Sequence, residues 1–158
     1  MPFPLLPRVR TARALLAMLW TILSAGAHAG EFFEKDGVAL RGHDPVAYFT
    51  EGKPVRGSRE HTADYKGTTF WFATQAHRDA FVASPERYAP QYGGYCAYGA
   101  ASGYKAVTDP TAFSVVGGKL YLNYNADVQA KWSGDVTAYV RKADRRWPRV
   151  SRQTNVVE

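Results

Sequence analysis

The chain offers little chemistry, and what it offers is concentrated. One cysteine, Cys96, stands in the stretch GGYCAYGAASG between Gly93 and Gly103. Three histidines, His43, His61 and His77, lie downstream of a signal-like N-terminus that holds the fourth. Thiolate is the form of cysteine that binds soft metals and attacks disulfides, so its pKa decides what Cys96 can do. Gly93 and Gly94 allow a sharp turn, and the spacing predicts a short helix from Tyr95 to Ala101 with Gly103 just past its end. Cys96 then falls in a first turn, where unpaired amides and the helix dipole would lower its pKa.

Three readings stay open on these residues. In the first, Cys96 and a second ligand hold a soft ion such as Cu(I), which tolerates low coordination better than structural zinc does. His43 is the preferred second ligand and Asp44 its outer partner, because both sit at a predicted helix start. In the second, Cys96 is a redox-reactive thiol that needs exposure but no fixed ligands. In the third, it is a small buried hydrophobe among tyrosines, and the protein works as a small-molecule or protein-binding module without metal. On that reading Tyr48, Tyr92 and Tyr98 contribute an aromatic groove. A Cys-His hydrolase would need a nearby histidine and an oxyanion hole, and no local pattern supplies them. The expectation is therefore a non-enzymatic protein.

The elements that must position these residues are readable from turns and caps. Val38 to Leu40 reads as a short strand, followed by a turn at Gly42-His43-Asp44-Pro45 and one helical turn through Val46, Ala47, Tyr48 and Phe49. Asp44 before Pro45 fits an N-cap before the first helical position. Lys66-Gly67 predicts a tight turn into the aromatic strand Phe70-Trp71-Phe72. Thr74 then caps a helix through Phe81, and Ser84-Pro85 starts a further turn that Pro90 ends. The plan recurs with Phe113 to Val116, Gly117-Gly118, Lys119 to Tyr124, and a helix from Asn125 to Trp132. The interval from Gly67 to Phe81 equals that from Gly118 to Trp132, which suggests two hairpin-plus-helix units. A last helix from about Asp135, with Val136, Tyr139, Val140, Ala143 and Trp147 at helical spacing, stops before Pro148. The fold class is α+β, with small antiparallel hairpins covered by short helices.

Residues 1–29 read as a secretory signal peptide: Arg8, Arg10 and Arg13, an apolar run from Ala14 to Leu23, and Ala27-His28-Ala29 before a cut at Gly30. Residues 30–150 then form one domain and residues 151–158 a flexible tail. The expected location is the periplasm or the medium, with no stable membrane anchor. Loss of three of the 20 lysines and arginines leaves 17 against 14 acidic residues, so the net charge falls from +6 to +3. Much of that excess lies from Arg141 to Arg152, and no basic face interleaved with aromatics marks a nucleic-acid partner.

The segments LRGHDPVAYFTEGKPVRGS, GTTFWFATQAHRDAFVASPERYAPQYGGYCAYG, SVVGGKLYLNYN and KADRRWP together resemble the secreted YHS domain-containing proteins of bacteria, over Val38 to Arg149. The resemblance implies the α+β fold. Related YHS modules at the ends of heavy-metal transport ATPases are associated with metal handling, which implies a metal ion as partner. Those modules commonly offer two or more cysteines, or one cysteine with further close ligands, so a four-ligand site does not carry over to a chain with Cys96 alone.

Overall fold

Two aromatic hairpins and the helices that follow them form the centre of the molecule. The computed structural model describes Met1 and residues 31–158; the signal peptide read at residues 1–29 lies almost wholly outside the described residues. A small hairpin, β1 (Glu34–Lys35) and β2 (Val38–Ala39), leads to a 3-10 turn and the short helix α1 (Ala47–Thr50). The first large hairpin pairs β3 (Ser58–Tyr65) with β4 (Thr68–Phe72), antiparallel. Lys66 and Gly67 both turn through positive φ, 50° and 78°, the conformation that matches a tight turn to strand twist. Thr68, Phe70 and Phe72 are buried while Thr69 and Trp71 between them are half-exposed, the period-two alternation of a one-sided strand.

Helix α2 (Gln75–Ala83) follows at once, with the Thr74 hydroxyl accepting from the amide of His77 at 3.1 Å. The short α3 (Pro85–Tyr88) starts on proline, whose missing amide costs nothing there. Then come α4 (Ala97–Ser102), β5 (Lys105–Ala106), and the second large hairpin of β6 (Asp109–Val116) and β7 (Lys119–Asn123). Asn125 caps α5 (Ala126–Ser133) as Thr74 caps α2. Helix α6 (Val136–Val150) and the strand β8 (Val156–Val157) complete the chain.

The suspected repeat is present in the register of the strands. Both large hairpins slip at one place, between Ser58 and Thr62 and between Asp109 and Phe113. One interval separates Ser58 from Asp109, Phe72 from Asn123, Thr74 from Asn125 and Phe81 from Trp132. Phe81 and Trp132 are each fully buried, one in each unit. Phe70, Phe72 and Phe81 share a cluster with Leu120 and Leu122 of the second hairpin, so the two units join through their strands. A second cluster holds Tyr92, Ala97, Ala100, Tyr121, Trp132 and Ala143 beneath α6.

Three boundaries differ from the sequence reading. Helix α4 begins two residues later than expected, at Ala97, with Cys96 as its cap and Gly103 in the left-handed region at φ 100°. Helix α6 passes through Pro148 instead of stopping before it. The proline removes one N–H from the last turn, and burial of Val150 holds that turn in place. The tail expected at residues 151–158 to be flexible folds back: β8 pairs in parallel with β5, and Lys105 Nζ donates to the Gln153 carbonyl at 2.9 Å.

Candidate functional site

Asp44 and Cys96 occupy matching places at the starts of the two units. The Asp44 carboxylate is fully buried; Oδ1 accepts from the amides of Val46 at 2.8 Å and Ala47 at 3.4 Å, and Oδ2 from Ala73 at 2.9 Å. It therefore caps α1 from below, as the Asp-Pro pair suggested, and ties it to the end of β4. The Cys96 sulfur accepts from Gly99 at 3.4 Å, while the nearby amide of Tyr98 donates to Asn123 Oδ1 at 3.2 Å; the amides of Gly99, Tyr124 and Tyr98 all favour the thiolate. Ala73 and Tyr124 stand immediately before the capping residues Thr74 and Asn125. A sulfur thus fills in the second unit the amide-lined concavity that a carboxylate fills in the first.

The chemistry expected of Cys96 is corrected by its burial. Cys96 is 2% exposed, and removal from water raises its thiol pKa more than the surrounding amides lower it. The thiol proton is donated to Asn123 Oδ1 at 3.6 Å, so a neutral sulfur is satisfied both as donor and as acceptor. The fast, low-pKa thiol predicted from the helix start does not form. Cys96 should consequently stay inert to a maleimide reagent at neutral pH in the folded protein and label within minutes once denatured. Native labelling at the rate of a free cysteine would overturn this reading of the site.

His43 and Cys96 have different hydrogen-bond partners among the described residues. His43 Nδ1 lies 3.1 Å from the Leu40 carbonyl, with Arg56 and Asp109 as its charged neighbours, and burial holds its pKa below the ordinary histidine value. Asp44 is not the outer partner of His43. Its Oδ2 lies 2.6 Å from Nδ1 of His77, a residue to which the sequence pattern assigned no role. The carboxylate fixes the tautomer of His77 and leaves Nε2 facing Thr50 Oγ1 at 3.5 Å. Among the described residues no three His, Cys, Asp or Glu side chains gather as metal ligands.

The tyrosines divide among three roles. Tyr48 is buried and its hydroxyl donates to the Pro110 carbonyl at 3.0 Å, with burial pushing its pKa far up. Tyr98 is half-buried, its ring 5.2 Å from that of Tyr139. Of these three, only Tyr92 lines one of the clefts described below. Its backbone is left-handed at φ 53°, which turns the ring under α6, where the hydroxyl donates to Asp144 Oδ1 at 2.9 Å. Gly93 must follow, because a Cβ there would collide with the Glu31 carbonyl.

That cleft, about 350 Å³, lies between the N-terminal segment at Glu31, the turn of the first large hairpin, the end of α3 and the face of α6. Its walls are aromatic, with Phe32, Tyr65, Tyr92 and Trp147, and its rim carries Glu31, Glu86 and Asp144. The rings of Tyr92 and Trp147 meet edge to face at 5.6 Å, which fixes the inner wall. Another cleft of similar volume near Arg41, Thr108 and Asp109 has Tyr124 as its one aromatic lining residue. Sequence reading named Tyr92 but missed the cleft. Trp147 carried a signal, since it extends the apolar stripe of α6 to the last residue before a proline.

No curated protein and no solved structure matches the chain. The family match is narrower than the resemblance read over Val38 to Arg149, and it leaves out His43, Asp44 and Cys96. It runs from the first turn of α1, through the first large hairpin and α2, to Tyr92 at the cleft: residues 46–92 match the family model of the YHS domain, so a YHS domain is present over that span.

Proposed function

We propose that the protein is a non-enzymatic binding module that acts outside the cytoplasm after loss of its leader, and that it takes a small organic ligand in the cleft beneath α6. The observation that carries this is the cleft itself. Its volume falls within the range of small-molecule sites, and it combines apolar walls with a few convergent polar groups, as such sites do. A non-catalytic role is supported by how the reactive side chains are used. Cys96 is paired with Asn123, and the Asp44 carboxylate is taken up by three backbone amides besides His77.

The test is a titration of the isotopically labelled protein with benzyl alcohol, followed by nuclear magnetic resonance. Shifts are expected at the Trp147 indole and at Tyr65 and Tyr92, and Gln91→Trp, which fills the cleft from its half-buried edge, is expected to abolish them. If the perturbed residues lie elsewhere, or if nothing shifts for any small aromatic, the reading falls.

A second reading, a soft ion held at Cys96, is favoured by the Gly99 amide that donates to its sulfur and by the neighbouring amides of Tyr124 and Tyr98, since they favour thiolate. It needs neither His43 nor Asp44. Denaturant-pulsed labelling of Cys96 with and without Cu(I) decides it: protection by the ion supports the reading, and identical labelling removes it.

A further inference from the structure

Resting on the reading that the cleft beneath α6 is a ligand site, we infer that it selects an organic ammonium: a molecule with a positively charged amine on an apolar, preferably aromatic, body. Three acidic side chains reach the cleft, and only one of them is neutralised. Glu31 is paired with Lys66 at 3.0 Å. Glu86 makes no ion pair or side-chain hydrogen bond among the described residues, and Asp144 receives a single one, from the Tyr92 hydroxyl to Oδ1. Its other oxygen, Oδ2, is left without a partner among the described residues.

The chain already shows what such walls do with a cation. The Lys66 ammonium is held by the Glu31 carboxylate and stands 5.4 Å from the centre of the Tyr65 ring. Carboxylate and aromatic face are two features that attract an ammonium. The same pair recurs on the other side of the cleft, where Asp144 stands beside Tyr92 and Trp147, and among the described residues no lysine or arginine is paired with it. The exposed cations of α6, Arg141 and Arg145, do not line the cleft. Tyr92 matters for orientation: by donating to Oδ1 it fixes the plane of the carboxylate and leaves Oδ2 to accept from the ligand. An anionic ligand would meet two unneutralised carboxylates, and a neutral one would leave Oδ2 unused.

Three isosteric probes separate charge from shape: benzylamine, benzyl alcohol and benzoate, at pH 7 and low salt, with the Trp147 and Tyr65 resonances as readout. Benzylamine is expected to bind at least tenfold more tightly than benzyl alcohol, and benzoate not at all. Asp144→Asn, which keeps an acceptor for Tyr92, should remove most of that preference, and Glu86→Gln, an exposed change, should remove part of it. Added salt should weaken benzylamine binding and leave benzyl alcohol unchanged. Equal binding of amine and alcohol at the cleft would overturn the inference while the binding reading stands. A preference for benzoate would also overturn it. Failure of all three to perturb the cleft would overturn both.

Discussion

Replacement of Phe81 by alanine is expected to destabilise the protein by about 3–5 kcal/mol, the usual loss for a buried aromatic. Phe81 is 1% exposed and its ring lies 4.9 Å from Phe70, 5.1 Å from Phe72 and 5.9 Å from Tyr65. Two of those partners come from β4, so the ring is what fastens α2 to its hairpin. The hairpin cannot collapse into the vacated space, because the same Phe70 and Phe72 also pack in a cluster with Leu120 and Leu122. Denaturant midpoints of the two proteins measure the loss. A difference below about 1 kcal/mol would mean that α2 repacks by rotation, contrary to the geometry.

Asp44→Ala is expected to cost about 3–5 kcal/mol as well, by a different mechanism. The substitution removes no large apolar surface. It strands buried donors: the amides of Val46, Ala47 and Ala73, and Nδ1 of His77, all of which lose their acceptor at once. A donor left unsatisfied in the interior costs roughly 1–3 kcal/mol, and water reaching the half-exposed His77 offsets part of the sum. Asp44→Asn should lose less, since one oxygen remains to cap α1; the difference between the two variants isolates that cap, and what Asn still loses belongs to the Ala73 and His77 contacts. Thermal and denaturant unfolding of both variants check the order. Equal stability of Asp44→Ala and the parent would show that α1 is not held by its cap.

What the sequence made legible was local. Lys66-Gly67 and Gly117-Gly118 announce their turns, Thr74 and Asn125 their helices, and the equal spacing to Phe81 and Trp132 the duplication, because each of these signals is completed within a few residues. Asp44 could be read as a cap for the same reason. That it binds His77 and not its neighbour His43 depends on where α2 lands against α1, which no local spacing encodes. Cys96 was misjudged because a helix start and a buried site push a thiol in opposite directions, and burial is decided by Asn123, Ala106 and the α6 layer, all distant in sequence. The cleft was invisible for a similar reason, since its walls run from Glu31 to Pro148 and only Tyr92 hinted at them. Tail pairing escaped notice because a strand of two residues has no periodicity to read.

The return of the chain end has a mechanical side. Ala106 is a shared anchor: its carbonyl accepts the amide of Cys96 at 3.1 Å, and the residue itself pairs with Val157. A tether fused after Glu158 would pull on β8, and part of the load would pass through this alanine to the backbone that seats the sulfur. Cys96 labelling under tension, or after trimming of the last residues, is therefore a strain gauge for the C-terminus, while a tag at that end is no neutral handle for studies of the thiol.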